Sequence, residues 1–239
     1  MKKIIGIIPK SVFGDETMST FSDTYISLNN YAKRVAEAGG IPITLVPVDN
    51  RLSQEQMDLC DAFVVQGGAE FYFYHYQLMH YAFTHKKRYL GICLGSQLIY
   101  VYRELRRRME ERGYTGDLVE AIYAYVQEQG PNFTVQQAIP GHYCQKVLPR
   151  GSEDLAKHDV NIVPGTLLHR VLGRDTMRIA SYHYLNTPPT QTLIPINAWS
   201  ALGDGVVEGV EYGDHILGVQ GHPEVDNLLP ELFRFVVGE

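Results

Sequence analysis

Apolar and polar positions alternate along the first half of the chain in a way that predicts strands followed by helices. Short apolar runs at Ile4–Ile8, Ile41–Val46 and Ala62–Val65 are typical of buried strands. Between and after them, Tyr25–Ala38 and Glu70–His85 have helical spacing, and the first of these ends at a glycine pair. Because strands that alternate with helices form parallel sheets covered on both faces, the pattern predicts an α/β fold.

The second half of the chain changes to shorter segments. The pieces predicted to form β-hairpin-like structure are Asp159–Val163, Met177–Ser181, Val206–Tyr212 and Ile216–Gln220. No internal repeat or low-complexity linker interrupts the sequence, so a single domain covering residues 1–239 is expected. A chain of 239 residues, 45% of them hydrophobic, is long enough to bury the core of one α/β domain.

Composition excludes several classes of protein. The formal net charge of −6 argues against nucleic acid as the main partner. The three cysteines, Cys60, Cys93 and Cys144, are scattered without metal-like spacing, which favours a reducing compartment and no disulfide framework. The N-terminal apolar run is too short for a signal peptide, and no run approaches transmembrane length. We therefore expect a cytoplasmic protein without a membrane partner.

The stretch Gly91–Gly95 carries the strongest chemical signal. Cys93 follows the apolar run Tyr89–Ile92 and precedes a predicted helix, Gln97–Met109. Glycines two residues before and two after Cys93 give a G-x-C-x-G spacing, the sulfur counterpart of the G-x-S-x-G turn that presents a nucleophile between a strand and a helix. A helix N-terminus behind the cysteine favours the thiolate and offers backbone N–H groups to an oxyanion.

A thiolate nucleophile also needs a proton partner, and His222 is the best candidate. It follows the apolar run Ile216–Val219, and Glu224 stands two residues later, where a carboxylate could orient the imidazole. Alone, a cysteine at a strand end is usually a small buried hydrophobe, and a histidine before proline is usually a loop residue. Together, a nucleophile, a base and an orienting group from separate strand ends predict a cysteine hydrolase.

The predicted helix Glu70–His85 begins with the aromatic segment Phe71–Tyr76. Half of this segment must face the core, whereas the other half could line a pocket for an apolar or aromatic leaving group. His75, His80 and His85 recur every five residues, which spreads them around the helix and argues against a metal site.

The motifs around Cys93 and His222 resemble those of the class I glutamine amidotransferases. Further segments are similar to the gamma-glutamyl hydrolase branch (peptidase C26, gamma-glutamyl-GABA hydrolase-like), which cleaves gamma-glutamyl amides. The segments that carry this resemblance, in chain order, are Gln66–Glu70 with Tyr76, His158–Ile162, Gly165–Leu168, Ser181–Tyr184 and Gly203–Glu208. The resemblance implies a three-layer sandwich with a mostly parallel central sheet, of the class I glutamine amidotransferase-like and flavodoxin-like kind.

The resemblance also implies acyl transfer on a small gamma-glutamyl substrate. Cys93 would attack the delta-carbonyl, His222 would protonate the leaving amine and later activate water, and Glu224 would hold the histidine tautomer. The backbone N–H groups of Gly68 and Leu94 are the implied oxyanion donors.

Three further residues are the substrate contacts that the resemblance implies: Gln97, Ser181 and His183. No metal ion and no organic cofactor is implied.

Several positions depart from the family pattern near the expected substrate mouth. Leu94 stands where the hydrolase branch usually has Arg, Gly221 where it has an aromatic residue, and Tyr184 and Leu185 where it has His and Gln. The small Gly221 would leave a void beside the base unless another group fills it.

A helical insert at about residues 106–140 replaces a short family stretch. Within it, Leu118–Gln129 has an apolar helical face, with Asp117 as the expected N-cap and a stop at Gly130. The mixture of arginines and glutamates before this helix is typical of a solvated face rather than an anion site. The insert could be a lid over the site, together with Phe71–Tyr76, or the interface of a homodimer.

Two other functions stay open at this point. Leu94 is weakly in favour of a glutaminase subunit that passes ammonia to a synthetase partner. Against it, no fused synthetase domain is expected, and the segments between His158 and Ser181 resemble free-standing hydrolases. A binding or regulatory protein on the same scaffold would be expected to have lost Cys93, His222 or Glu224, all of which are present.

Overall fold

The computed structural model describes residues 1–13, 23–68, 70–129, 142, 157–183, 185–189 and 194–238. The strands are β1 (Ile4–Ile8), β2 (Lys10–Phe13), β3 (Asp23–Ile26), β4 (Ile41–Thr44), β5 (Ala62–Val65), β6 (Arg88–Ile92), β7 (Lys157–Ile162), β8 (Thr176–Ala180), β9 (Ile196–Ser200), β10 (Val207–Tyr212) and β11 (Ile216–Val219). The helices are α1 (Asn29–Glu37), α2 (Gln54–Asp58), α3 (Phe73–Thr84), α4 (Leu94–Glu111), α5 (Leu118–Gln129), α6 (Leu167–Leu172) and α7 (Pro230–Val237). The expectations for Tyr184, Cys144 and residues 130–140 of the insert lie outside the described residues.

One large sheet organises the described part of the chain. Its nine strands lie in the order β4-β1-β5-β6-β11-β10-β9-β7-β8, and β2 pairs separately with β3. Within this order, the five adjacent strands β4, β1, β5, β6 and β11 are joined by parallel pairings. The remaining pairings, β11 with β10, β10 with β9, β9 with β7 and β7 with β8, are antiparallel. The predicted α/β fold is confirmed, and its parallel part contains the strand that leads to Cys93.

Helices cover both faces of this sheet. Successive side chains of β5 alternate, so that Phe63 and Val65 pack in the core beneath α3, α4 and α5, whereas Ala62 and Val64 pack in the core beneath α1, α6 and α7. Because both faces are buried, such strands read in the sequence as continuous apolar runs rather than as alternating ones. The three layers agree with the predicted sandwich.

The first predicted helix is wrong at its N-terminal end. Residues 23–26 form β3, which pairs antiparallel with β2, and α1 begins only at Asn29. Gln66 explains the late start, because its side chain accepts from the Leu28 N–H at 3.2 Å and donates to the Ile26 carbonyl at 2.9 Å. These bonds bind backbone groups in an extended segment that helical spacing alone assigned to the helix.

The predicted insert is partly integrated into the main fold. Its first residues continue α4 to Glu111, and α5 has the predicted bounds. Asp117 caps α5, since its Oδ1 accepts from the N–H groups of Val119 and Glu120 at 2.9 and 3.0 Å. Ile122 and Val126 are fully buried against α3 and α4. The roles as lid or dimer interface stay predictions. No described helix combines the length and the apolar character that crossing a membrane requires.

Candidate active site

The turn between β6 and α4 holds Cys93 in an unusual conformation. Cys93 has φ 53° and ψ −106°, in the positive-φ range that residues other than glycine rarely adopt. A Cβ atom at Gly91 would overlap the carbonyl of Gly95, and one at Gly95 would overlap the carbonyl of Val65. Both glycines are therefore required by close backbone approach, and the strand-to-helix turn predicted from their spacing is confirmed.

Three parallel neighbours, β5, β6 and β11, end at the same edge of the sheet. The Cys93 N–H donates to the Val219 carbonyl at 2.9 Å, which ties the turn to the end of β11. The His222 N–H donates to the Ala180 carbonyl at 2.8 Å, which fixes the following loop against β8. A Cβ atom at Gly67 would lie 2.9 Å from His222 Cε1 and 3.3 Å from Cys93 Cβ, so all three residues meet here. The carboxyl ends of parallel strands are where α/β proteins place ligands.

A carboxylate orients the His222 ring. His222 Nδ1 lies 2.7 Å from Glu224 Oε1, and the side chain of Glu224 is buried. This contact assigns a proton to Nδ1 because a carboxylate only accepts. Burial lowers the pKa of His222, but the Glu224 carboxylate and the side chain of Cys93 raise it more, so that it lies well above its ordinary value. The geometry favours an imidazolium beside a cysteine sulfur.

Tyr31 is a residue of this site that the sequence did not reveal. It is fully buried on α1, and its hydroxyl accepts from the Gly67 N–H at 3.2 Å. Burial, followed by the charge of Glu224, raises the pKa of Tyr31 well above its ordinary value, so the hydroxyl stays protonated. Tyr31 lies at one of the apolar positions of the predicted helix Tyr25–Ala38, so helical spacing indicated only a core residue, and no local signal distinguishes it. Tyr31 couples the end of β5 to the environment of Glu224.

The two predicted oxyanion donors are close together. A Cβ atom at Gly68 would lie 2.9 Å from Leu94 Cδ2 and 3.7 Å from the Cβ of Lys10. Leu94 is the first residue of α4, where backbone N–H groups have no partner within the helix. The donor role of both residues stays a prediction.

The three predicted substrate contacts are buried beside this edge. Gln97 Nε2 donates to the Leu185 carbonyl at 3.1 Å and to Gln220 Oε1 at 3.2 Å. Ser181 Oγ donates to the carbonyl of His142 at 2.7 Å. His183 is also buried, with its ring turned toward another histidine, at 5.1 Å between ring centroids. Their role in binding substrate stays a prediction.

The space beside Gly221 is filled, and the group that fills it is β8. A Cβ atom there would lie 2.7 Å from Ile179 Cγ2 and 2.8 Å from the Ala180 carbonyl oxygen, so β8 already fills the space. On the solvent side, Tyr182 stands edge-on to His222 with 6.1 Å between ring centroids, and about half of its surface is exposed. An aromatic wall beside the histidine therefore comes from the segment after β8, not from the residue before His222.

The aromatic segment after the glycine pair belongs mainly to the core. Phe71 and the residues from Phe73 to Tyr76 are buried, and Tyr72 packs against the same core. Burial lowers the pKa of His75 to about 3, and its Nδ1 accepts from the Tyr72 N–H at 3.0 Å. The prediction that this segment closes over Cys93 stays a prediction.

Comparisons with known proteins agree with this architecture. Curated relatives include CTP synthase of Thermus thermophilus, 27% identical over 164 residues, which are 60% of this chain and 26% of that protein. The chain thus spans about a quarter of the length of the curated relatives it matches.

Solved structures resemble the chain over nearly its whole length. The glutaminase domain of Trypanosoma brucei CTPS with bound acivicin has a TM-score of 0.66 at 14% identity, covering 98% of this chain and 92% of that one. A glutamine amidotransferase from Thermotoga maritima has a TM-score of 0.55 at 14% identity, covering 94% and 77%. At such identities these likenesses establish the fold.

The family is established by a separate sequence comparison. The Peptidase C26 profile matches residues 3–77 and 72–224, a span that includes Cys93, His222 and Glu224. This match supports an enzyme of the glutamine amidotransferase and peptidase C26 type. On that ground the chain belongs to the Peptidase C26 family.

Proposed function

We propose that the protein is a cysteine-dependent hydrolase that cleaves the gamma-glutamyl amide bond of a small gamma-glutamyl compound. The observation that carries this proposal is the meeting of Cys93, His222 and Glu224 at the carboxyl edge of the parallel strands. A strained nucleophile turn and a base oriented by a buried carboxylate are the parts that acyl transfer requires.

The first half of the reaction forms a thioester. The Cys93 thiolate attacks the delta-carbonyl carbon. The negative charge that develops on the carbonyl oxygen is stabilised by hydrogen bonds from the backbone N–H groups of Gly68 and Leu94. The imidazolium of His222 then donates its proton to the leaving nitrogen, and the carbon–nitrogen bond breaks. The raised pKa of His222 suits this step because it keeps the proton available while the thiolate is ionised.

The second half regenerates the enzyme. The neutral His222 takes a proton from water, the resulting hydroxide attacks the thioester carbonyl, and the carbon–sulfur bond breaks to release glutamate and the thiolate. Glu224 keeps Nδ1 protonated throughout, so that Nε2 exchanges the proton in both halves. Tyr31 supports this geometry from behind through its bond to Gly67.

A second candidate function is a glutaminase that supplies ammonia to a synthetase partner. Leu94 after the nucleophile favours it, as does the similarity to CTP synthase, a protein of which this chain spans about a quarter. The two candidates share Cys93 and His222 and differ in their autonomy. A free-standing hydrolase works alone, whereas a subunit depends on its partner.

A release assay separates these candidates. Purified protein is incubated with a panel of gamma-glutamyl amides that includes glutamine, and liberated glutamate and amine are measured. We expect release from at least one amide other than glutamine, without a second protein. Activity on glutamine alone, appearing only after a synthetase is added, would favour the subunit.

The nucleophile has a matched control in the same chain. Cys93→Ser should abolish release while the thermal unfolding midpoint stays close to that of the wild type. Cys60→Ser should retain activity, because Cys60 is buried beneath α2 and burial raises the pKa of its thiol to about 11. Near-normal turnover by Cys93→Ser would refute the mechanism.

A further inference from the structure

Three histidines and one glutamate that the proposed mechanism does not use meet at a buried point near the site. They are His142, His158 on β7, His183, and Glu208 on β10. Glu208 Oε1 lies 3.1 Å from His142 Nδ1, 3.4 Å from His158 Nε2 and 3.5 Å from His183 Nε2. The four inward-facing ligand atoms all lie within 4.8 Å of one another.

The outward-facing nitrogen of each histidine is held by an acceptor. The contacts are His142 Nε2 with Asp204 Oδ2 at 2.7 Å, His158 Nδ1 with the Asp159 carbonyl at 3.1 Å, and His183 Nδ1 with the Leu185 carbonyl at 3.1 Å. Carbonyls and carboxylates only accept, so each outward nitrogen carries the proton and each neutral ring turns a lone pair inward. Imidazoles that bind metals are held in this way, with the second nitrogen donating to a carboxylate or a backbone carbonyl.

The inward-facing atoms have no other partner among the described residues. His142 Nδ1, His158 Nε2, His183 Nε2 and both carboxylate oxygens of Glu208 are buried, and none of these atoms has a hydrogen-bond partner outside the cluster in the part of the chain that the structure describes. With neutral rings, three lone pairs and a negative charge therefore converge at one buried point. Buried groups of this kind are normally paired or bound to a cation.

We propose that His142, His158, His183 and Glu208 bind a divalent transition-metal ion, with zinc favoured. Zinc takes nitrogen and carboxylate ligands in a tetrahedron with bonds of about 2.0–2.2 Å, which separates neighbouring ligand atoms by roughly 3.3–3.5 Å. The contacts of the three histidines with Glu208 span 3.1–3.5 Å and fit three of the six edges of such a tetrahedron, while all four ligand atoms lie within 4.8 Å of one another. Calcium and magnesium prefer oxygen ligands and suit this donor set poorly.

A single shared proton is the competing explanation. Hydrogen bonding with Glu208 raises the pKa of His142, which agrees with a histidinium–carboxylate pair. One proton, however, makes only one inward nitrogen a hydrogen-bond donor. The lone pairs of His158 and His183 would still face each other across Glu208. A metal ion satisfies all four groups at once.

The four protein ligands close the coordination sphere, so the ion would position the site rather than react with substrate. The Gln220 N–H donates to the Glu208 carbonyl at 2.8 Å, two residues before His222. The Leu185 carbonyl, which accepts from His183, also accepts from Gln97 Nε2. The ion would therefore fix the segment beside the base, and His183 would serve the metal instead of the substrate.

Metal binding is tested on tag-free full-length protein, because a polyhistidine tag binds the same ions. The protein is stripped with a chelator, titrated with zinc chloride, and followed by calorimetry and thermal unfolding. We expect one equivalent of zinc per chain and a rise in the unfolding midpoint. Cobalt chloride should give the visible absorption of a tetrahedral site. Wild-type protein that binds neither ion would overturn the proposal.

Variants locate the ion within the chain. His158→Ala and Glu208→Gln should lose the stoichiometric site, whereas His85→Ala, at an exposed histidine on another face, should retain it. Asp204→Asn alters the outer partner of His142 and keeps an oxygen that can still accept from the Val206 N–H, so it should weaken zinc affinity by about 10–100-fold without abolishing it. If a ligand variant fails to fold, the zinc affinity of Asp204→Asn still tests the proposal. An affinity equal to that of the wild type would place the ion elsewhere and refute the site.

Discussion

Replacing Gly67 with alanine would put one methyl group against both the proposed nucleophile and the proposed base. The new Cβ atom would lie 2.9 Å from His222 Cε1, 3.3 Å from Cys93 Cβ and 3.7 Å from Cys93 Sγ. Gly67 does not have a positive φ, so alanine is compatible with its backbone conformation. The effect of the substitution therefore comes from contact with these two side chains.

The required movement follows from the distances. Carbon atoms pack best at about 3.5–4.0 Å, so the His222 ring must withdraw by about 0.6–1.1 Å from a methyl group placed at 2.9 Å. A misplacement of about 1 Å at a reacting group can lower the rate about 10²-fold. Overpacking of a buried position costs about 1–3 kcal/mol of folding free energy. We expect Gly67→Ala to lose about two orders of magnitude in kcat/KM and to remain folded.

Gly6→Ala is the matched control. Its Cβ atom would lie 2.9 Å from Cys60 Sγ and from Phe63 Cδ1, a similar overlap within the core and away from Cys93. Glutamate release and thermal unfolding are measured for both variants below their unfolding midpoints. Both should be destabilised to a similar extent, but only Gly67→Ala should lose most of its activity. Near wild-type activity in Gly67→Ala, or equal losses in both, would refute the placement of Cys93 and His222 around Gly67.

Features fixed by local geometry could be predicted from the sequence. The turn at Cys93 needs glycine at both flanking positions because the backbones of Gly95 and Val65 approach too closely for a side chain. The strands β1 and β5 have the predicted bounds, since a strand buried on both faces is apolar at nearly every residue. In each case the constraint leaves a local mark in the sequence, either a glycine at a fixed position or a continuous apolar run.

Features set by distant side chains could not be predicted. Gln66, 38 residues away, takes the Leu28 N–H and delays the start of α1. Tyr31 reaches Gly67 only because α1 packs on the parallel strands, so its spacing revealed a core residue and nothing of its hydroxyl. The filled space at Gly221 depends likewise on Ile179 of β8, which the sequence did not place next to it.

The cluster of three histidines and Glu208 is also set by distant residues, and nothing in the sequence indicated it. Sequence arguments about metals relied on short spacings, and they considered the cysteines and the series His75, His80 and His85. The proposed ligands come instead from β7, β10, the segment after β8 and residue 142, with no common spacing. The antiparallel pairing of β7 with β8 and β9, and of β9 with β10, brings three of them together. The fourth, His142, is held beside them by its carbonyl, which accepts from the His183 N–H at 3.0 Å.

Three further changes test individual interactions. Tyr31→Phe removes the acceptor of the part-buried Gly67 N–H, which should cost about 1 kcal/mol of folding free energy and lower kcat; an unchanged thermal midpoint would contradict this role. Asp117→Ala removes the cap of α5 and should cost about 0.5–2 kcal/mol in denaturant unfolding with kcat/KM unchanged, whereas Asp117→Ser, which can still cap, should lose less. The third concerns pH. Because the folded-state pKa of His222 lies above its unfolded value, its contribution to stability is complete below the unfolded pKa and is lost as the pH rises through the folded pKa. The proton that His222 donates to the leaving amine is lost over the same alkaline range. Glu224→Gln keeps the shape of the side chain but removes the charge that raises this pKa, so it should move the alkaline limb of the kcat/KM profile to lower pH. An alkaline limb that stays in place, even with kcat reduced, would show that the carboxylate orients the imidazole without setting its charge.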